Sequence, residues 1–260
     1  MTGVEDSVEV WLLGSGTGIP HPRRRPPALA VRTGTYLFLF DCGAGTLWSL
    51  AQAGLEFHDL DWLFLTHFHP DHSGDLASLL FAARSPLYGR KKPLIIGGAS
   101  GLADFYRRLR DVYGQWIHLD RNLLSLHEID PSASPWLDLP CGRLVTLAMA
   151  HTAASVGYRL ETKDGAVVAY SGDTDYCANA ALLARDADLF VCECSFPDHL
   201  KTAGHLSPRW AGRLAREAGC RRLLLSHLYP ACDGVDVAAA CREEYDGEIL
   251  VGEDLMRLRI

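Results

Sequence analysis

The sequence predicts an α/β protein, an αβ/βα four-layer sandwich of two stacked mixed β-sheets with helices outside. Three observations carry this. Near-continuous apolar runs of strand length recur along the chain, as in strands buried on both faces. Stretches with helical spacing and helical start signals lie between them. The order is strand-rich and then helical, twice over, so two similar halves, about 1–140 and 141–260, each supply a small sheet and its outer helices. With 260 residues, 48% of them hydrophobic, the chain can bury such a core as a single domain, 1–260.

Strand candidates in the first half are 8–13, 28–32, 36–40, 62–66 and 93–96. In the second half they are 143–150, 156–161, 166–171, 189–193, 222–226 and 248–251. Helix candidates are 45–53, 75–83, 101–113, 208–218 and 235–245. Ser207 followed by Pro208 reads as the N-cap and first residue of the fourth helix. Residues 111–140, with Pro131, Pro135, Pro140, Trp116 and Trp136, form the least regular stretch. They read as a lid, a partner-contact loop or a plain connection between the halves.

No stretch of 18 apolar residues is free of charge, so no transmembrane span is expected. The start, Met1 to Asp6, is acidic and lacks a signal pattern. The 8 Cys are scattered without a CxxC pair, and read as reduced core residues of a cytoplasmic protein. A net charge of −7 and a pI near 5.8 are the wrong sign for strong generic phosphate-backbone binding.

Function is concentrated in Thr66-His67-Phe68-His69-Pro70-Asp71-His72, directly after the apolar run Trp62-Leu63-Phe64-Leu65. Extended chain alternates its side chains with period two, so His67 and His69 can aim to one side. The chain then turns, and Asp71 and His72 can face a second point nearby. Imidazole nitrogens and carboxylate oxygens are ligands that Zn²⁺, Mn²⁺ or Fe²⁺ accept. A surface loop merely rich in His is the competing reading, and this density of ligands at a strand end weighs against it.

The run resembles the HxHxDH signature of the metallo-β-lactamase superfamily, and the resemblance implies a two-metal site in the fold of that name. It also implies further ligands, which the chain supplies as His151, Asp173 and His227, each after an apolar run. Within the superfamily the ribonuclease Z branch is most similar. Leu12 to Pro20 resembles its opening strand and glycine loop, Phe40 to Thr46 its second motif, and His151 to Arg159 its HTxxSxGYR segment. Glu193 matches the Glu of its HEAT motif, although Cys192 stands where that motif has His, and His205 in Gly204-His205-Leu206-Ser207 matches its HxS/T motif.

On this resemblance His67, His69 and His151 would hold one divalent ion, Asp71, His72 and His227 the other, and Asp173 would bridge them. Zinc is the expected metal, with manganese or iron also compatible. Two such ions can supply hydroxide at neutral pH to attack phosphorus. His205, oriented by Glu193, would protonate the leaving oxygen as general acid. For both residues a purely structural role competes: a satisfied helix-proximal His, and a buried carboxylate paired with something else. Ser155 and Thr174 are candidates for hydroxyls that orient ligands. His21, His58, His118, His127 and His199 have no ligand context.

Two departures bear on substrate. Long forms of the branch carry a basic arm between the third and fourth metal motifs that grips transfer RNA, whereas here only residues 152–172 lie between His151 and Asp173. The basic clusters are few. Arg107, Arg108 and Arg110 read as a solvated helix face, and Arg23-Arg24-Arg25 as a candidate contact for an anionic substrate. The expected activity is therefore a ribonuclease Z-like phosphodiesterase acting on a small anionic phosphodiester or an RNA end. No membrane is expected as a partner, and a homodimer is compatible. The alternatives are a lactone or thioester hydrolase with the same ligands, or transfer-RNA 3′ processing. A diiron oxygen-reducing protein would need a Glu in the HxHxDH run, and a non-catalytic binding module would be expected to have lost ligands.

Overall fold

A computed structural model describes residues 7–133 and 135–260; the acidic stretch Met1 to Asp6 lies outside the described residues. The first sheet contains β1 (Glu9–Gly14), β2 (Ala28–Thr33), β3 (Tyr36–Phe40), β4 (Leu60–Leu65), β5 (Leu94–Ala99) and β6 (Leu124–Ile129). The second contains β7 (Trp136–Leu139), β8 (Gly142–Ala148), β9 (Val156–Thr162), β10 (Val167–Tyr170), β11 (Leu189–Glu193), β12 (Arg222–Ser226) and β13 (Glu248–Val251). The chain then returns to the first sheet with β14 (Met256–Arg259), giving orders β14-β1-β2-β3-β4-β5-β6 and β13-β12-β11-β10-β9-β8-β7. Each sheet is mixed. β3 to β6 run parallel to one another, as do β10 to β13, while the pairings of β14, β1, β2 and β3, and of β7, β8, β9 and β10, are antiparallel.

Period-two alternation builds the layers. Along β4, Trp62 and Phe64 face the core between the sheets while Leu63 and Leu65 face outward. Along β11, Leu189 and Val191 face the inter-sheet core, and Phe190 and Cys192 face the helices of the second half. The outer layers are α1 (Thr46–Gln52), the single turn α2 (Pro70–Ser73), α3 (Leu76–Ala83) and α4 (Leu102–Tyr113) on one side, and α5 (Ala178–Leu183), α6 (Pro208–Ala218) and α7 (Val237–Arg242) on the other. This is the four-layer sandwich expected. No helix among the described residues is long and apolar enough to cross a membrane, and the cysteines are free thiols.

The differences from expectation lie at the sheet edges. Residues 111–140 contain β6 and β7, so this stretch finishes one sheet and starts the other rather than forming a lid. The division expected near residue 140 falls inside the β7–β8 hairpin, and β14 crosses back into the first sheet. At the start of α6, Ser207 is the N-cap, as expected, but its hydroxyl makes no cap bond. It donates instead to Asp198 Oδ1 at 2.5 Å, which also accepts from the Arg209 amide at 3.2 Å.

The sheets are fastened to each other at one end. Tyr158 on β9 donates to the Leu65 carbonyl at 2.6 Å, Tyr170 on β10 donates to Asp41 Oδ2 at 2.8 Å, and the Val156 amide donates to the Thr66 carbonyl at 2.9 Å. All three join the carboxyl end of β3 or β4 to the opposite sheet. In open α/β sheets this is the end at which ligands bind.

Candidate metal centre

His67 and His69 leave β4, His151 lies between β8 and β9, Asp173 follows β10, and His227 follows β12. Asp71 and His72 occupy the first turn of α2. The fold brings these residues into two adjoining groups, His67, His69, His151 and Asp173 on one side and Asp71, His72 and His227 on the other. Asp173 lies between them. Its Oδ2 is 3.8 Å from His67 Nε2 and 3.7 Å from His151 Nε2, and its Oδ1 is 3.2 Å from His72 Nε2 and 3.3 Å from His227 Nε2. Asp71 Oδ2 stands 3.5 Å from His227 Nε2 and 3.9 Å from His72 Nε2, steadied by the Gly18 amide at 3.0 Å.

A count of protons fixes which nitrogens face inward. His72 Nδ1 lies 2.7 Å from Asp41 Oδ2 and His151 Nδ1 lies 2.9 Å from the Gly204 carbonyl. Both oxygens can only accept, so each Nδ1 carries the proton. The Thr66 hydroxyl gives its single proton to Asp41, at 2.9 to 3.0 Å, and therefore accepts from His67 Nδ1 at 3.0 Å. The Nε2 of His67, His72 and His151 is thus left as a lone pair toward the centre. His69 is turned the other way: its Nδ1 meets His67 Nε2 at 2.9 Å and His151 Nε2 at 3.3 Å.

Lone pairs facing each other and facing carboxylates repel unless a cation sits among them. Buried His72 Nε2, Asp173 Oδ1 and His227 Nε2 have no hydrogen-bond partner, an unfavourable state for buried polar atoms. These residues fit divalent ions in number, type and orientation. Without a cation the site draws in a proton: burial opposes charge on His72, but Asp173 and Asp41 outweigh it and hold its pKa well above the usual value. Burial and neighbouring His72 push His67 down to about 2, keeping it neutral. Asp71 and Asp173 stay well below the ordinary carboxylate range, since the surrounding imidazoles outweigh burial.

Beside this centre lie His205 and Glu193. Glu193 is 2% exposed and accepts from the Thr174 amide at 2.6 Å, the Leu206 amide at 3.0 Å, the Ser195 hydroxyl at 2.6 Å and His205 Nδ1 at 3.2 Å. Burial works against charge on His205, but the Glu193 carboxylate outweighs it and raises its pKa. His205 also falls within ligand distance of Asp173 and His227. Its Nδ1 is committed to Glu193, however, and stands 4.0 Å from Asp173. Cys192, at the position where the resembling motif has His, points into the helix-facing core, so that departure does not reach the site.

Other expected residues are used differently. The Ser155 hydroxyl bonds Thr152, and that of Thr174 bonds the Asp175 carbonyl and the Ala150 amide, so neither bonds the side chain of a candidate ligand. The hydroxyls and carboxylate that do so belong to Thr66, Ser195 and Asp41. The signal for Asp41 was a carboxylate ending the apolar strand 36–40; Ser195 is simply the next inward-facing position after Glu193. Of the basic triplet, Arg24 is spent on Ser15 Oγ and the Gly252 carbonyl and Arg25 on Ser49 and Gln52. Only Arg23 stays largely exposed, 3.6 Å from Asp233. His21 pairs with the same Asp233 at 2.8 Å. Arg107 and Arg108 are neutralised by Asp104 and Asp111 on their own helix.

Residues 36–228 match the Beta-lactamase superfamily domain, and the chain belongs to this superfamily. The branch within it follows from relatives that match nearly end to end. Ribonuclease Z of Mycobacterium sp. (strain KMS) is 31% identical over 275 residues, covering 97% of this chain and 96% of the relative. Among solved structures, the metallo-β-lactamase fold protein YhfI from Bacillus subtilis superposes with a TM-score of 0.85 at 24% identity, covering 98% of this chain and 100% of that one. The short form of human tRNase Z gives 0.77 at 24% identity, covering 96% and 98%.

Proposed function

We propose that the protein is a dinuclear-metal-dependent phosphodiesterase of the ribonuclease Z kind, acting on a small phosphodiester or an RNA end. The observation that carries this is the convergence of buried, unpartnered Nε2 and carboxylate atoms beside an acid pair. His67, His69 and His151 would hold one ion, Asp71, His72 and His227 the second, with Asp173 shared; zinc suits this set of nitrogen and oxygen ligands. Two divalent ions supply activation of water at neutral pH and neutralisation of phosphoryl charge.

The chain's own residues supply the rest. Two carboxylates and five neutral imidazoles carry less charge than two divalent ions, so the loaded site is positive and suits an anionic diester. His205, with Nδ1 held by Glu193, keeps Nε2 free to give a proton to the departing oxygen. Asp41 and Thr66 hold His72 and His67 in the tautomers that ligation requires. Free thiols support a reducing, cytoplasmic setting, and the shared inter-sheet core supports one domain for the whole chain.

The test is metal analysis of the purified protein, with turnover of a panel of phosphodiesters, acyl lactones and thioesters. Diester hydrolysis lost in Asp71→Ala and Asp173→Ala is the expected result; turnover of lactones alone would overturn the reading. Transfer-RNA 3′ processing is a second reading, favoured by the near full-length match to proteins named Ribonuclease Z. Against it stand the acidic net charge and the short β9–β10 hairpin that fills the space between His151 and Asp173. Precursor transfer RNA is accordingly expected to be cut poorly compared with small diesters, and efficient site-specific cleavage at moderate salt would favour the second reading.

A further inference from the structure

We propose that Ser195 is a positioning residue that couples the acid pair Glu193–His205 to the ligand His227 through a single hydroxyl. The proposal rests on the phosphodiesterase reading. Ser195 is fully buried, and its Oγ lies 2.6 Å from Glu193 Oε2, 2.9 Å from His227 Nδ1 and 3.2 Å from His205 Nδ1.

A hydroxyl has one proton to give and two lone pairs with which to accept. An oxygen–oxygen approach of 2.6 Å to an ionised carboxylate requires a proton between them, and Glu193 can only accept, so the proton of Ser195 goes there. The hydroxyl must then accept from His227 Nδ1–H. That leaves the His227 Nε2 lone pair facing Asp173 and Asp71, at 3.3 and 3.5 Å. The same donation holds the Glu193 carboxylate so that Oε1 meets His205 Nδ1. One hydroxyl therefore sets both the metal-facing nitrogen of His227 and the anchor of the acid.

Its backbone is held independently of that hydroxyl. The Ser195 amide donates to the Leu206 carbonyl at 3.0 Å, the Tyr229 amide donates to the Ser195 carbonyl at 3.2 Å, and the Cys194 amide donates to the Ser226 carbonyl at 2.8 Å. These bonds tie position 195 to the loops of His205 and His227 by main chain alone. Removing the hydroxyl is therefore a clean perturbation of the relay.

The experiment compares Ser195→Ala, Ser195→Thr and Ser195→Val with the parent in the full chain. Thr and Val share a shape and differ by the hydroxyl, so this pair remains decisive if the Ala variant folds poorly. The first readout is Zn²⁺ affinity of the metal-free proteins, measured by competition with a chromophoric chelator. Ala and Val are expected to bind about 10–100-fold more weakly, the usual effect of losing a partner behind a ligand, and Thr to match the parent. The second readout is turnover at saturating Zn²⁺ of an alkyl and a p-nitrophenyl phosphodiester. Ala and Val should lose more on the alkyl substrate, whose leaving oxygen needs a proton, and Thr should restore both. Unchanged Zn²⁺ affinity in Val, equal losses on both substrates, or failure of Thr to rescue would each overturn the coupling. A parent protein that hydrolyses neither diester would remove the phosphodiesterase reading itself, a result visible before any variant is made.

Discussion

Asp41 shows how much of this site rests on residues that never reach its centre. It is fully buried, has a left-handed φ of 60°, and accepts from the Thr66 amide and hydroxyl, His72 Nδ1 and Tyr170. Asp41→Asn is the informative variant, because Asn tolerates that backbone conformation while its amide turns a donor toward donors. Metal affinity is expected to fall about 10–100-fold in chelator competition. Unfolding free energy should fall by about 1–3 kcal/mol, the cost of buried donors left without an acceptor. His205→Ala should differ: both metals retained, and turnover of an alkyl diester lowered about 10²–10⁴-fold. A smaller loss is expected on a p-nitrophenyl diester, and equal losses would take His205 off the list of acids. At this scale the cluster formed by 66–72 was legible as a candidate ligand run because adjacent positions carry most of it. The roles of Asp41, Thr66 and Ser195 were not, since a hydroxyl's choice of proton partner depends on contacts between strands far apart in sequence.

At the scale of elements, the site exists where β4 and β10 approach each other, and Gly172 permits the approach. A Cβ there would lie 2.7 Å from Thr66 Cβ at a φ of +56°. Gly34 has nearly the same φ, +55°, but nothing within 4 Å of the same atom. Both Ala variants bear a backbone strain of about 1–2 kcal/mol, visible as a lowered melting temperature. Only Gly172→Ala is expected to weaken metal binding as well, because only there must Thr66 and its partners move. Equal metal affinity in the two variants would remove the steric argument. The inner strands were legible in sequence because burial on both faces produces unbroken apolar runs. β6, β7 and β14 were not. As edge strands, with sequences such as LSLHEI and MRLR, they have no unbroken apolar run, and their alternation is too short or too broken to stand out. The short helix α5 was missed as well; its six residues are too few for a helical period to show.

For the whole molecule, the two sheets share a core but meet over a site full of mutually repelling lone pairs. Cations bound there would act as a fastener between the halves. Stripping them with a chelator is expected to lower the melting temperature, and added Zn²⁺ to restore it; an ion at a thousand times its Kd contributes about 4 kcal/mol per site. A melting temperature indifferent to chelation would show that the centre is not held by metal.

The return of β14 to the first sheet has a further consequence, for how the protein is born. Until β14 leaves the ribosome, β1 has an open edge along Glu9 to Leu12, where Arg259 to Met256 will later pair. The glycine loop is equally unfinished, because Ser15 and Arg25 are held by Asp254 and Arg24 by the Gly252 carbonyl. A nascent chain that already contains every candidate metal ligand up to His227 therefore still lacks the clasp for the loop that steadies Asp71. An open, apolar edge of this kind invites pairing with other chains, and a connection this long in sequence closes late. Activity should thus wait for β14 to be made and paired, and until then the edge of β1 stays open to other chains.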